Sequence, residues 1–144
     1  MRTTCGIYLF LPNNKFLICH PTNHGPTFFS IPKGIVHEGE EYWDAAKREL
    51  LEETSLDLDN YTIENIIELP MNVYNRGDKQ LKSFYVKITE NICDAKLECI
   101  SMVKCDIPFP ECDEFRWLTI DEGIVFLHES QRRNKEQLIN IING

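Results

Sequence analysis

The sequence predicts an α/β domain in which a mixed β-sheet is flanked by helices on two sides. Strand-like segments rich in β-branched and aromatic residues alternate with turns over most of the chain. A central segment has the 3.6-residue periodicity of an amphipathic helix, and a second helical segment lies near the end. A mixed sheet covered by helices is the simplest packing of such elements. The 144 residues suffice for one domain, 1–144.

The first strands are predicted as a hairpin. Thr3–Leu11 and Lys15–Cys19 have strand composition, and the intervening Pro and Asn residues form its turn. The Pro, Gly and Asn content of His20–Thr27 indicates a loop. We predict a short buried strand at Phe28–Ile31, followed by the central helix at Tyr42–Glu53.

Three further strands are predicted, at Asn60–Leu69, Leu81–Thr89 and Phe115–Ile120, with a turn at Asn75–Asp78. The segment between the second and third of these is ambiguous. Its candidate strand is Leu97–Val103.

The last part of the chain is predicted as a loop followed by helices. Pro108–Glu114 is the loop, and a short helix follows Asp121. The terminal helix is predicted at Gln131–Ile142, with Ser130 as its N-cap.

Composition excludes several classes of protein. A net charge of −8 is unfavourable for binding duplex nucleic acid, which needs a basic face. The longest apolar run is far shorter than the ~20 residues of a membrane span, and no signal-like segment opens the sequence. The six cysteines contain no C-x-x-C pair and no usual zinc spacing, which favours free thiols in a reducing cytoplasm. Whether the protein is a monomer or a homodimer stays open.

Three carboxylates share one face of the central helix. Glu49, Glu52 and Glu53 lie at i, i+3 and i+4, where like charges cost about 0.2–0.5 kcal/mol per pair. We expect Lys47 and Arg48 to point elsewhere around the helix. A divalent cation with oxygen ligands would explain the cluster, and a solvated acidic face is the alternative that spacing alone leaves open.

The residues around this cluster resemble the Nudix box. Gly34, five residues, Glu40, seven residues and then Arg48-Glu49-Leu50-x-Glu52-Glu53-x-x-Leu56 match its fixed positions. The one departure is Ser55, where the family usually has a glycine that ends the helix with φ > 0. The resemblance implies a Nudix α/β/α sandwich and hydrolysis of a phosphoanhydride bond.

The resemblance also implies the roles of the box residues. Glu49, Glu52, Glu53 and the backbone carbonyl of Gly34 would bind Mg²⁺, with Mn²⁺ as an alternative. Glu40 and Arg48 would form an ion pair that fixes the loop on the helix. The general base varies within the family, and its candidates here are Glu53, Glu52 and Glu111.

Resemblance outside the box suggests a nucleotide substrate. "IPKG" (Ile31–Gly34) and "PECDEFRWL" (Pro110–Leu118) resemble segments of asymmetrically cleaving diadenosine tetraphosphate hydrolases, in which Lys33 would contact phosphate and Glu111 would bind metal or activate water. The flanking histidines of the second segment are absent, which weakens the substrate assignment. By position, the candidates for substrate binding are Tyr74 and Tyr85 for adenine and Lys79 and Lys82 for outer phosphates. Sheet packing and solvated lysines are the alternatives.

The leading hypothesis is therefore a Mg²⁺-dependent Nudix enzyme that cleaves a dinucleoside polyphosphate, such as diadenosine tetraphosphate, to ATP and AMP. One alternative changes the substrate to nucleoside triphosphates, ADP-ribose or the 5′ end of RNA. A diphosphoinositol phosphate is disfavoured because this acidic chain offers few basic residues. Another alternative is a catalytically inactive Nudix fold that senses a ligand, although Glu49, Glu52 and Glu53 are all present.

Overall fold

The computed structural model describes residues 1–74 and 77–144, and nine strands are assigned there. They are β1 (Arg2–Phe10), β2 (Lys15–Pro21), β3 (Lys33–Ile35), β4 (Ile63–Glu68), β5 (Asn72–Val73), β6 (Lys79–Ile88), β7 (Met102–Val103), β8 (Phe109–Pro110) and β9 (Cys112–Thr119). The main sheet has the order β4-β6-β1-β2-β9, with β3 also on β1 and β5 also on β6. Strands β1 and β6 are parallel and the other pairs are antiparallel, so the sheet is mixed as predicted.

Four α-helices flank the sheet in the described part of the chain. They are α1 (Tyr42–Thr54), α2 (Ile120–Gly123), α3 (Glu129–Arg132) and α4 (Lys135–Asn143), with 3₁₀ turns at Leu58–Asn60 and Ile124–Phe126. Of these helices, none has the length and apolar character needed to cross a membrane.

Side chains of β1 alternate between two cores. Ile7 and Leu9 pack towards Leu50 of α1, whereas Tyr8 and Phe10 belong to the cluster that contains Leu138 of α4. Successive residues of a strand point to opposite faces, so one buried strand supplies both cores. The result is the predicted α/β/α sandwich.

The predicted strand at Phe28–Ile31 is wrong. Phe29 and Ser30 make only isolated bridges, and the ladder with β1 forms at Lys33–Ile35. Gly6 lies where this ladder begins, and a Cβ atom there would come within 2.9 Å of the carbonyl oxygen of Pro32. The absence of a side chain at Gly6 lets the chain cross β1 closely at this point.

The strand predicted at Leu97–Val103 is reduced to Met102–Val103, which pairs with Phe109–Pro110 in the predicted loop. The residues before it bond to the end of α1 instead. The amide of Glu98 donates to the carbonyl of Thr54 at 3.1 Å, and the amide of Ile100 donates to the carbonyl of Glu52 at 2.7 Å. Carbonyl groups at a helix end need such donors.

Three other boundaries differ. The predicted strand Asn60–Leu69 begins only at Ile63, after the 3₁₀ turn. Of the turn predicted at Asn75–Asp78, Asn75 and Arg76 lie outside the described residues. Strand β9 begins at Cys112, inside the predicted loop.

The terminal helix is divided, and Ser130 is not its N-cap. His128 is the N-cap of α3, with its ring accepting from the amide of Ser130, and α4 starts after Asn134. The buried Asn134 side chain donates to the Tyr8 hydroxyl and to Ser83 Oγ, both at 3.1 Å. These bonds favour the turn at this position because they satisfy an amide that would otherwise be buried without partners.

Candidate active site

Arg48 connects the acidic residues of the box. Its guanidinium donates to Glu40 Oε2 and Glu49 Oε1 at 2.9 and 2.7 Å, and it lies 3.2 Å from Glu52 Oε2. It also donates to the carbonyl oxygen of Ile35 at 3.0 Å. The expectation that Arg48 points away from the cluster is wrong, because a five-donor fork can reach several carboxylates at once. The expected ion pair with Glu40 is present.

This network has two further consequences. Hydrogen bonds from Arg48 lower the pKa of Glu40 from 4.5 to about 2. The Glu49 carboxylate is held over Gly34, where a Cβ atom would come within 2.1 Å of the carboxyl carbon. Position 34 therefore admits no side chain while Glu49 keeps this conformation, and the close packing brings the backbone of Gly34 against a carboxylate.

Glu53 points into a different environment, although it follows Glu52 directly. Its side chain is buried, and its Oε1 accepts from the amide of Lys33 at 3.0 Å. Burial raises the pKa of Glu53, and the nearby Cys112 and Glu49 raise it further. The carboxylate is therefore held by a backbone donor beside other acidic groups.

Glu111 joins the two sides of the site. It borders the larger cleft, of about 840 Å³, together with Glu53, and the smaller cleft, of about 560 Å³, together with Glu49 and Glu52. Ser101 positions it, since its hydroxyl donates to Glu111 Oε2 at 3.3 Å and its carbonyl accepts from the Glu111 amide at 3.0 Å.

The donor set fits a hard divalent cation. Glu49 packs against Gly34, both Glu52 and Glu111 line the same smaller cleft, and Mg²⁺ prefers oxygen ligands such as these. Mutual repulsion supports this fit: burial raises the pKa of Glu49, and the charges of Glu52 and Glu111 raise it further. Arg48 offsets part of that repulsion, because its guanidinium bonds both Glu49 and Glu52.

Aromatic side chains line the larger cleft. Tyr74 and His128 are stacked with ring centroids 5.2 Å apart, and His24 and Phe28 are stacked at 5.3 Å. Phe28 also meets the edge of the His128 ring. Flat ring faces of this kind are the usual partners of nucleobases.

Arg2, Lys33 and Lys79 place cationic groups along the same cleft. Within residues 1–74 and 77–144, no ion pair involves any of them. Burial acts to raise the pKa of Tyr74, but Lys33, Lys79 and hydrogen bonds outweigh it and lower the pKa. The charges of Lys33 and Lys79 therefore act on the hydroxyl of the stacked tyrosine.

Two predicted substrate contacts lie elsewhere. Tyr85 is buried in the core, with its ring centroid 5.0 Å from that of Phe10, so it cannot stack on a base. Lys82 pairs with Glu68 at 3.5 Å and is not among the residues lining either cleft. Both residues lie on β6, which pairs with neighbouring strands along its length. Their side chains therefore face the layers packed on the sheet and not the cleft.

Sequence reasoning missed Arg2, His24, Phe28 and His128 as cleft residues. No motif marks them, because they come from the first strand, a loop and the start of α3. The loop composition of His20–Thr27, which also contains two histidines, marked this segment only as a loop. His20, which follows Cys19 in β2, holds this loop, with its Nδ1 2.6 Å from Asp113 Oδ1 and its Nε2 2.9 Å from the carbonyl oxygen of Gly25.

Comparisons with known proteins agree with this geometry. The family described as "NUDIX domain" matches residues 1–139. The RNA pyrophosphohydrolase of Pelagibacter ubique (strain HTCC1062) is 29% identical over 138 residues, which cover 84% of this chain and 78% of that protein. The RNA pyrophosphohydrolase of Wolbachia pipientis subsp. Culex pipiens (strain wPip) is 28% identical over 158 residues, covering 99% and 92%.

A solved structure has the same fold. The binary complex of the C. elegans Ap4A hydrolase superposes with a TM-score of 0.67 at 19% identity, covering 97% of this chain and 95% of that chain. Nudix hydrolases generally use a divalent metal ion, typically Mg²⁺. From the match over residues 1–139 and the complete carboxylate set of the box, we conclude that this chain belongs to the Nudix family of hydrolases.

Proposed function

We propose that the protein hydrolyses a phosphoanhydride bond of a nucleoside polyphosphate in the larger cleft, with Mg²⁺ as its cofactor. One observation carries the proposal: carboxylates, cations and stacked aromatic rings line the same cavity. Lys33 connects them, because its amide binds Glu53 while its charge acts on Tyr74 and His128. A nucleotide offers a matching set of groups: a base for the rings, a polyanionic chain for the cations and a phosphorus for hydrolysis.

The acidic residues and Arg48 would have different roles. Glu49, Glu52, Glu53, Glu111 and the Gly34 carbonyl would hold Mg²⁺, which when bound neutralises phosphate charge and lowers the pKa of water. Arg48 orients two of these carboxylates, and Glu40 orients Arg48.

For the general base the geometry favours Glu53 or Glu111. Both border the cleft that contains the cations, whereas Glu52 borders only the smaller cleft and is bonded to Arg48. A base must lie within hydrogen-bond reach of the water that it deprotonates. Glu52 then acts as a metal ligand.

The remaining groups would bind the substrate. Lys33, Lys79 and Arg2 would contact the phosphates, and Tyr74 with His128 would offer a face for one base. A second base would meet the His24–Phe28 pair. This arrangement favours a dinucleoside polyphosphate such as diadenosine tetraphosphate as substrate.

RNA with a 5′-triphosphate end is the second candidate substrate, because the two curated relatives are RNA pyrophosphohydrolases. The net charge of −8 disfavours a long RNA contact, but recognition of an end needs little basic surface. A single base against Tyr74 and a triphosphate along the cations would satisfy the cleft.

Product analysis tests the proposal. The purified protein with Mg²⁺ would be incubated separately with diadenosine tetraphosphate, triphosphate-ended RNA, ADP-ribose and nucleoside triphosphates. Fastest conversion of diadenosine tetraphosphate to ATP plus AMP supports the first substrate, and pyrophosphate release from RNA supports the second. Fastest conversion of either other compound overturns the substrate assignment. Metal binding without turnover of any compound overturns the enzymatic proposal in favour of a ligand sensor.

A further inference from the structure

Two thiols and a carboxylate meet beside the catalytic carboxylates. Cys19 comes from β2, Cys112 from β9 and Glu53 from α1, and their ligand atoms all lie within 4.8 Å of one another. All three side chains are buried, and both cysteines are free thiols. Among the described residues, this is the one group of three such side chains so close together.

The donor chemistry of this group differs from that of the Nudix box. Thiolates prefer Zn²⁺ and similar thiophilic cations, whereas Mg²⁺ prefers oxygen. Tetrahedral zinc with Zn–S bonds of about 2.3 Å places two sulfur ligands roughly 3.8 Å apart. Small side-chain rotations would therefore bring ligand atoms that are within 4.8 Å of one another to this spacing.

The group is also accessible to an ion. Cys19, Glu53 and Cys112 all line the larger cleft, so a hydrated cation can approach from solvent without unfolding of the sheet. Three protein ligands leave one position of a tetrahedron for water, as in catalytic zinc sites. Cys99, on the segment that caps α1, interacts with Cys112 as well.

We propose that Cys19, Cys112 and Glu53 form a site for a thiophilic divalent cation, Zn²⁺ or Cd²⁺, which overlaps the oxygen site for Mg²⁺ at Glu53 and adds two thiolate ligands. Binding would release the two thiol protons to solvent and form two metal–sulfur bonds and one metal–oxygen bond. Glu53 belongs to both sites. If the proposed function holds, occupancy by Zn²⁺ withdraws this carboxylate from hydrolysis and inhibits the enzyme.

Cobalt absorption is the direct test. Co²⁺ added to the reduced, full-length protein is expected to give the near-ultraviolet thiolate-to-cobalt band, and Zn²⁺ is expected to abolish it. Cys19→Ser and Cys112→Ser should each lower the band by about half or more, and the double variant should lose it. Cys105→Ser, which changes an exposed thiol, is the matched control and should leave the band unchanged. A band that is absent, or that persists in the double variant, overturns the proposal.

Alkylation of the unmodified sequence provides a test that does not depend on how the variants fold. Zn²⁺ should slow iodoacetamide labelling of Cys19 and Cys112 at least tenfold, as measured by peptide mass spectrometry, and should not affect Cys105. Equal protection of Cys105, or no protection at Cys19 and Cys112, contradicts the site. A disulfide between Cys19 and Cys112 that forms in reducing buffer contradicts it as well.

Inhibition separates this inference from the proposed function. The half-inhibitory Zn²⁺ concentration should be lower for the parent protein than for Cys112→Ser. The rate of each protein is compared with its own rate without zinc. If no substrate is hydrolysed, the proposed function fails while the cobalt band still decides the metal site. If hydrolysis occurs and the half-inhibitory zinc concentration is the same in both proteins, the sharing of Glu53 is wrong.

Discussion

Glu52 and Glu53 are consecutive residues of α1 with opposite surroundings. The Glu52 side chain is 38% exposed and lies 3.2 Å from Arg48, one helical turn earlier. Glu53 is 7% exposed, and its carboxylate accepts from the amide of Lys33 on β3 and lies beside two thiols on β2 and β9.

The difference shows which properties of the site are local. The charge partner of Glu52 belongs to the same sequence motif, so any helix with this motif can form the pair. The neighbours of Glu53 arrive through the sheet, and the motif does not specify them. Most of the carboxylates proposed to bind metal therefore lie within residues 34–56, whereas the surroundings of Glu53 depend on the rest of the chain.

Replacement of Glu53 should have the largest effect on activity. Glu53→Gln is expected to lower kcat by at least about a hundredfold, because it removes a metal ligand or general base. The glutamine Oε1 can still accept from the Lys33 amide, so the fold should be retained, and loss of a buried charge should leave the metal-free protein at least as stable. Steady-state hydrolysis and thermal unfolding without metal measure the two effects.

Glu52→Gln makes the contrast with Glu53 sharper. It should lose a similar factor in turnover, but it should also weaken the link to Arg48 and slightly destabilise the metal-free protein. Glu41→Gln, an exposed change just before α1, is the control and should alter neither quantity. Turnover within a few-fold of the parent for both the Glu52 and the Glu53 variant would contradict the proposed metal site.

Glu40 belongs to the ion pairs formed within the motif, and the pH dependence of stability measures its contribution. Its folded pKa, about 2, lies below the ordinary 4.5, so its contribution is fully present above about pH 4.5 and is lost as pH falls towards 2. Glu40→Gln should cost about 2–3 kcal/mol in the free energy of unfolding at pH 7 and little near pH 2. Urea unfolding across this range measures the difference.

The exposed Glu38→Gln variant is the control for Glu40, and its difference from the parent should stay small at all pH values. A cost for Glu40→Gln that is the same at pH 7 and pH 3 would show that charge pairing with Arg48 is not its cause.

Tyr74 tests the part of the site that depends on tertiary structure. Tyr74→Ala should raise KM about tenfold with kcat changed less than about threefold, since a stacked base contributes roughly 1–3 kcal/mol. Tyr74→Phe keeps the ring and should change KM little. A kcat loss in Tyr74→Ala as large as that in Glu53→Gln would place Tyr74 in the chemical step instead. Steady-state kinetics with the fastest substrate decide between these outcomes.

The helix of the box and the mixed sheet could be predicted from sequence. The helix depends on residues close together in the chain, and the strands depend on local composition. Sequence reasoning missed that Arg48 bridges Glu49 and Glu52, although the i,i+4 spacing of Arg48 and Glu52 permits that pair. It placed Tyr74 in the site and placed Tyr85 there wrongly, since the two differ in what packs over them and not in local pattern.

The thiol group shows the same limit. Cys19 and Cys112 are separated by most of the chain, and no zinc spacing relates them. Their approach follows from the pairing of β2 with β9, in which Pro21 lies opposite Cys112 after a register shift. A bulge of this kind leaves no signal in composition or periodicity.

Substitutions of Ser55 should have the smallest effect on stability. They test how residues 98–101 are held on the end of α1. Ser55 has φ 68°, the left-handed conformation usually taken by glycine, and its hydroxyl donates to the carbonyl oxygen of Glu98 at 2.6 Å. Ser55→Gly removes the conformational cost of a left-handed serine, roughly 1 kcal/mol, but it also loses a hydrogen bond of about the same value. Its free energy of unfolding should therefore stay within about 0.5 kcal/mol of the parent's. Ser55→Ala keeps the cost and loses the bond, and should be less stable by about 1 kcal/mol in urea unfolding. If Ser55→Gly proves more stable than the parent by the full left-handed cost, the hydroxyl contributes nothing, and residues 98–101 are held on α1 by their backbone bonds alone.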